Sequence, residues 1–129
     1  VNRMLQLNTY PKAAAFEQYK QTSILTATPS KIILMLYEGA LRFMTMAAGF
    51  LKQNKYKEFG DYTMKAQRIF VELKKSLNYD HGREMALNLE QLYSYIDFQL
   101  SKATIKKDEA PLQAAMKTAK ILKAGWETI

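Results

Sequence analysis

The 129-residue chain contains no cysteine. Disulfide scaffolds, thiolate zinc sites and cysteine nucleophiles are therefore excluded, and a reducing compartment is allowed. Histidine occurs once, as His81 between Asp80 and Gly82. A Ser-His-Asp triad would have to rest on that turn residue, and no nucleophile-elbow spacing accompanies it. The Glu-x-x-His pairs that hold metals inside helical bundles are missing as well. Glycines stand singly at 39, 49, 60, 82 and 125, so no glycine-rich loop can cradle a phosphate. No uncharged apolar run approaches the roughly 18 residues of a membrane span, because the most apolar window, Ile32 to Leu51, contains Glu38 and Arg42. Val1 to Leu5 show no hydrophobic segment with a small-residue cleavage site, so no signal peptide is expected. These absences argue against an enzyme and predict no metal, no cofactor and no membrane insertion.

What is present is helical periodicity. The length suits one domain with a real core, and scarce glycine and proline over long periodic runs favour an all-α class. Residues Val1 to Pro11 lack a period and read as an extended arm, since Pro11 disfavours helical geometry at Tyr10. Residues 12–23 can form a short helix, too short to stand alone in water. Helices are then expected over about 29–53, 57–77, 83–106 and 109–128. Polar or turn-rich breaks separate them at Gln53-Asn54-Lys55, at Asn78-Tyr79-Asp80-His81-Gly82 and near Asp108, which is placed to cap the last helix. Four long helices joined by short loops make an antiparallel up-down four-helix bundle, with the short helix and arm left to cover one end or groove.

The stretch from Thr26 to Phe43 organises this plan. Thr28 is a good N-cap, and Pro29 falls at the first helical position, where its fixed φ suits a helix. Lys31, Glu38, Arg42, Thr45, Lys52 and Gln53 then share a sector of about 100°. Apolar residues fill most of the remaining circumference, more than the stripe of a little over about 100° that an ordinary surface helix needs. That excess admits two readings: a central helix buried by its neighbours, or a helix that shares part of its apolar arc with a partner helix or peptide.

The formal charge of +7 would attract acidic or polyphosphate partners. The lysines are scattered, however, and although Lys117, Lys120 and Lys123 share one face of the last helix, no nucleic-acid-binding module appears. Seven methionines and eight tyrosines suit either gap-filling in a core or an adaptable surface that meets a peptide backbone.

Taken together, these motifs resemble the flagellar secretion chaperone FliS family. The residues that carry the resemblance are Asn8-Thr9-Tyr10, Tyr19, Thr26-Ala27-Thr28-Pro29 and Met35-Leu36-Tyr37-Glu38-Gly39-Ala40-Leu41-Arg42-Phe43. Lys65-Ala66-Gln67-Arg68-Ile69, Ser76-Leu77-Asn78, Leu92-Tyr93-Ser94-Tyr95 and Trp126 extend it over almost the whole chain. Thr104 departs from the family's usual asparagine after alanine, and the spacing after Asn8 differs from the commoner form.

The resemblance implies a helical bundle in the cytosol that binds the C-terminal segment of flagellin. Holding that segment would prevent premature polymerisation, and the complex would be presented to the flagellar type III export gate. It also leaves room for a further partner such as an anti-sigma factor or co-chaperone. On this reading Leu34, Tyr37, Leu41, Met44 and Ala48 form a groove on one flank of the central helix, about 220° to 300° from Lys31. Lys65 and Arg68 meet acidic side chains or carbonyls of the partner, and Tyr10 and Tyr19 serve from the N-terminal segment, whose arm covers the empty groove. The competing classes are a basic helical module that binds nucleic acid or another anionic surface, and a bundle that self-associates through its apolar excess.

Overall fold

The computed structural model describes residues 29–128 of the chain. The arm, the helix expected over 12–23, the Thr28 cap, Tyr10 and Tyr19 lie outside the described residues. Within them the chain forms four long helices: α1 over Pro29–Lys52, α2 over Tyr56–Lys75, α3 over Arg83–Lys106 and α4 over Glu109–Glu127. A short 3₁₀ turn, Tyr79–His81, bridges α2 and α3. Helix α1 packs against α2 and α4, and α3 packs against the same two, so the four form a closed square with α1 and α3 on one diagonal. The expected all-α four-helix bundle is the fold observed.

Local chemistry explains where the helices stop. After α1, Asn54 takes a left-handed φ of 58°, one that asparagine tolerates better than most side chains. The chain turns back there so that the Lys55 amide donates to the Phe50 carbonyl at 2.9 Å. Lys107 plays the same part after α3, with φ 51° and Asp108 N–H on the Ala103 carbonyl at 3.1 Å. Asp108 then caps α4 by accepting from the Ala110 amide at 3.0 Å, as its sequence position suggests. Helix α2 ends two residues earlier than the periodicity predicts. The Ser76 amide is shared between the Glu72 and Leu73 carbonyls while its Oγ donates to the Glu72 carbonyl at 2.8 Å, which tightens and closes the last turn. Gly82 enters α3 with φ 125°, a backbone that only glycine adopts without strain.

One aromatic side chain from each helix meets at the centre. Tyr37 of α1 lies 6.4 Å from the rings of Phe70 on α2, Tyr93 on α3 and Trp126 on α4, and Phe70 and Tyr93 are 5.8 Å apart. Such aromatic pairs add about 0.5–1.5 kcal/mol each beyond the area they bury. Around them pack Ala40, Met44 and Ala47 of α1 with Leu100 and Ala103 of α3 and Leu112, Ala115 and Ala119 of α4, all fully enclosed. The apolar excess of α1 is thus mostly spent on two neighbours and the bundle interior. By length and composition α1 would also pass for a membrane span, but its central Glu38 faces Lys123 of α4 at 3.9 Å.

Polar rungs fix the α2–α3 register. The Gln67 amide nitrogen donates to Ser101 Oγ at 2.9 Å and Asp97 Oδ1 at 3.1 Å, and Lys74 Nζ donates to Ser94 Oγ at 2.9 Å. Gly39 is buried where α1 crosses α2, yet a Cβ built on it would sit 3.6 Å from Ile69 Cδ1, an ordinary contact distance. Gly39→Ala is therefore expected to raise stability by about 0.5–1 kcal/mol through helix propensity, measured as a higher urea midpoint. A loss of stability would show that α1 and α2 approach too closely there for a methyl group.

Candidate partner-binding cleft

The outer side of α1 is where the bundle leaves part of its apolar arc open. Glu38, Leu41, Arg42, Thr45 and Met46, at helical steps of three and four, line a shallow cleft of about 550 Å³ that Lys123 of α4 closes on one side. Leu41 is half-buried and packs against the core, whereas Met46 is 43% exposed. Thr45 donates its hydroxyl to the Leu41 carbonyl at 2.8 Å, so its polar atom is satisfied within the helix. Lys123 stands between two carboxylates, Glu38 at 3.9 Å and Glu127 at 3.8 Å. Ion pairs this open are worth at most about 1 kcal/mol, so the rim can exchange them for a partner's charges at little cost. The arrangement offers an apolar floor, a weakly paired charged rim and the exposed guanidinium of Arg42. It suits an apolar side chain projecting from a helix or an extended peptide. Among the described residues, no group of three or more His, Asp or Glu side chains is placed to hold a metal.

The expected site residues fall into three groups. Leu34 and Leu41 are half-buried on α1, and Leu41 lines the cleft. Tyr37, Met44 and Ala48 do not lie on an open flank: the first two are fully enclosed and Ala48 nearly so. The correction has a physical cause, because that edge of α1 is where α4 and the central aromatic cluster pack, as the Tyr37–Trp126 contact shows. Lys65 and Arg68 sit together on α2, but away from the cleft. Lys65 Nζ lies over the rings of Tyr62 at 4.5 Å and Phe43 at 5.7 Å, on the seam between α1 and α2. Arg68 is exposed, with one guanidinium nitrogen on Met64 sulfur at 3.5 Å. Glu38, Arg42, Thr45, Met46 and Lys123 are the cleft residues absent from the expected set. The polar sector of α1 already contained three of them, and only the approach of α4 joins them into one surface.

The buried hydroxyls of the core are a separate matter. Tyr37 and Tyr93 share a hydrogen bond of 2.7 Å in which either oxygen can be the donor. Burial pushes the Tyr37 hydroxyl up from 10.0 to about 12, opposed in part by hydrogen bonds from Tyr93 and Trp126. Tyr93 is raised further, by burial first and by its neighbour Tyr37 second. Both hydroxyls are thus held protonated and structural, far from the nucleophilic range that chemistry at neutral pH requires.

This bundle is that of the flagellar chaperones. A solved structure described as a flagellar chaperone from bacteria superposes with a TM-score of 0.74, at 25% identity, over 92% of this chain and 96% of that one. The model of the family described as flagellar protein FliS matches residues 12–129, and the chain belongs to that family. Curated relatives carry the name flagellar secretion chaperone FliS. The protein of Bacillus subtilis is 34% identical over 97 residues, 75% of this chain and 71% of its own. That of Vibrio cholerae is 28% identical over 119 residues, 89% of this chain and 88% of its own. The FliSB chaperone of Pseudomonas aeruginosa is 31% identical, covering 89% of this chain and 94% of its own. A family of chaperones is non-enzymatic in kind.

Proposed function

We propose that this chain is a cytosolic export chaperone that binds the C-terminal segment of flagellin, holds it from polymerising and presents it to the flagellar type III export gate. The observation that carries the reading is the cleft on α1, an apolar floor of Leu41 and Met46 under a weakly paired charged rim, in a protein of the flagellar chaperone family. A segment that orders only on binding covers apolar surface yet spends a few kcal/mol on its own folding. The complex is then specific and still releasable without ATP. Lys65 and Arg68, on the adjacent helix, extend the contact to acidic side chains or carbonyls further along the segment.

Calorimetry with a flagellin C-terminal peptide tests this. Leu41→Asp and Met46→Asp are each expected to weaken binding at least about tenfold, which is about 1.4 kcal/mol, with the helical signal intact. Unchanged affinity in both folded variants would remove the cleft from the site. Binding should also fall only slightly as salt rises. A steep salt slope would instead mark an anionic-surface or nucleic-acid ligand, whose contacts release counterions.

A further inference from the structure

The face where α2 and α3 lie side by side carries an apolar crest open to solvent. Met64 and Val71 stand on α2, and Leu87, Phe98 and Ile105 stand on α3, all exposed. Phe98 is 62% exposed and Ile105 80%. At 100° per residue Met64 and Val71 share one direction on their helix, and the three α3 residues share another within about 20°. Both directions lie just outside the polar rungs that join the helices, Gln67 to Asp97 and Ser101, and Lys74 to Ser94. From Leu87 to Ile105 the crest runs roughly 27 Å along the bundle, at about 1.5 Å per residue.

A groove that receives a peptide has an apolar floor and a polar rim, as the α1 cleft does. This seam is built the other way round. Its floor is polar and closed on itself, because Gln67 donates to Ser101 at 2.9 Å and to Asp97 at 3.1 Å. Its apolar side chains project above that floor as knobs. Knobs suit a medium that yields around them, which the boundary between headgroups and acyl chains does. The charges agree. Lys74, Arg83, Lys102 and Lys106 border the crest, and none pairs with a carboxylate among the described residues. Nearby acids are already engaged, Glu72 with Lys75 at 3.5 Å, Glu90 with the Tyr79 hydroxyl at 2.8 Å and Asp97 with Gln67.

We propose that this face docks the chain reversibly on an anionic lipid surface. Phe98 and Ile105 enter the headgroup region, and Lys74, Arg83, Lys102 and Lys106 meet lipid phosphates. Their long side chains reach past the crest while their charged ends stay in the wet layer. Attachment is to one leaflet, through side chains of two packed helices, and no helix crosses the bilayer. Neither component suffices alone: a few apolar side chains bind weakly, and the cations act only within a Debye length of the surface. In the closed square of helices the α2–α3 face lies opposite the α1–α4 face that holds the cleft. A bundle seated on lipid therefore keeps its cleft turned to the solvent. The inference does not depend on the identity of the cleft's ligand.

Co-sedimentation of the 129-residue chain with lipid vesicles, without any flagellin peptide, tests the proposal. Vesicles of phosphatidylglycerol mixed with phosphatidylcholine should bind at least about tenfold more tightly than phosphatidylcholine alone, and should lose most of that advantage as salt rises. Phe98→Asp and Ile105→Asp should each weaken binding to the mixed vesicles by about tenfold. Net charge alone would also draw a basic chain to such vesicles, so matched charge changes separate the two causes. Lys74→Glu with Lys102→Glu should cost several-fold more binding than Lys117→Glu with Lys120→Glu, which removes the same charge from α4. Circular dichroism checks that each variant is folded. Three results would overturn the proposal: no binding to the mixed vesicles, which assigns the face to a protein partner; binding indifferent to both Phe98→Asp and Ile105→Asp; or equal losses from the two pairs of lysine changes.

Discussion

Replacing Tyr37 with alanine should cost about 3–5 kcal/mol of folding stability, the range for deleting a large enclosed aromatic side chain. Tyr37 is the hub where one ring from each of the four helices meets, so its loss leaves a void touching all of them. For a chain of 129 residues each kcal/mol moves the melting temperature by roughly 4 °C, so thermal unfolding should shift by about 12–20 °C. The smaller change Tyr37→Phe isolates the hydroxyl. It strands the Tyr93 oxygen, buried and deprived of its 2.7 Å partner, and should cost about 1–3 kcal/mol. Changing both tyrosines to phenylalanine removes donor and acceptor together, and that double variant is expected to lie closer to wild type than Tyr37→Phe does. A Tyr37→Ala protein that loses under 1 kcal/mol would mean that the four helices are held mainly by their aliphatic contacts.

Much of this architecture was legible in the sequence, because helix ends are written in local chemistry. Asp108 carries a terminus on a single side chain, and α4 starts directly after it. The end of α2 was misjudged by two residues because periodicity runs on through Leu77. That side chain is indeed buried, but beneath the turn that Ser76 closes.

The candidate site was legible only in part, for a different reason. A helical wheel gives the angle of a side chain about its own axis, and the apolar arc of α1 is wide enough to meet two neighbours at once. Whether 120° from a given residue means solvent or α4 depends on the packing of a helix whose contacting residues, Lys123 and Trp126, lie more than 80 positions further along the chain. Tyr37 shows this directly. Its hydroxyl suggested a group meant to meet a peptide backbone, but the partner it meets is Tyr93 on α3. Lys65 is a second case, since the sequence does not show that its exposed ammonium lies over rings from two helices.

Raising the pH should unfold the protein between about pH 10 and 12, and the two buried tyrosines set that window. Below pH 10 Tyr37 is protonated in both the folded and unfolded chain, so it contributes no pH dependence there. Above 10.0, its ordinary value, the unfolded chain gives up the proton, whereas the folded chain keeps it until about 12. The unfolded state is favoured progressively across that interval, by about 1.4 kcal/mol per pH unit for each such group. Tyr37 alone therefore withdraws about 2 kcal/mol by pH 12. Tyr93 is displaced in the same direction by the same burial and adds to the loss. Against a total stability of about 5–15 kcal/mol, the sum is enough to bring on cooperative unfolding. Tyrosinate absorbance and the helical circular dichroism signal, followed together, should show part of the absorbance appearing only as helix is lost. The double change of Tyr37 and Tyr93 to phenylalanine should move that transition to higher pH. If every tyrosine instead ionises while the helical signal holds, the two hydroxyls are reachable by solvent and the aromatic centre is looser than its enclosed packing indicates.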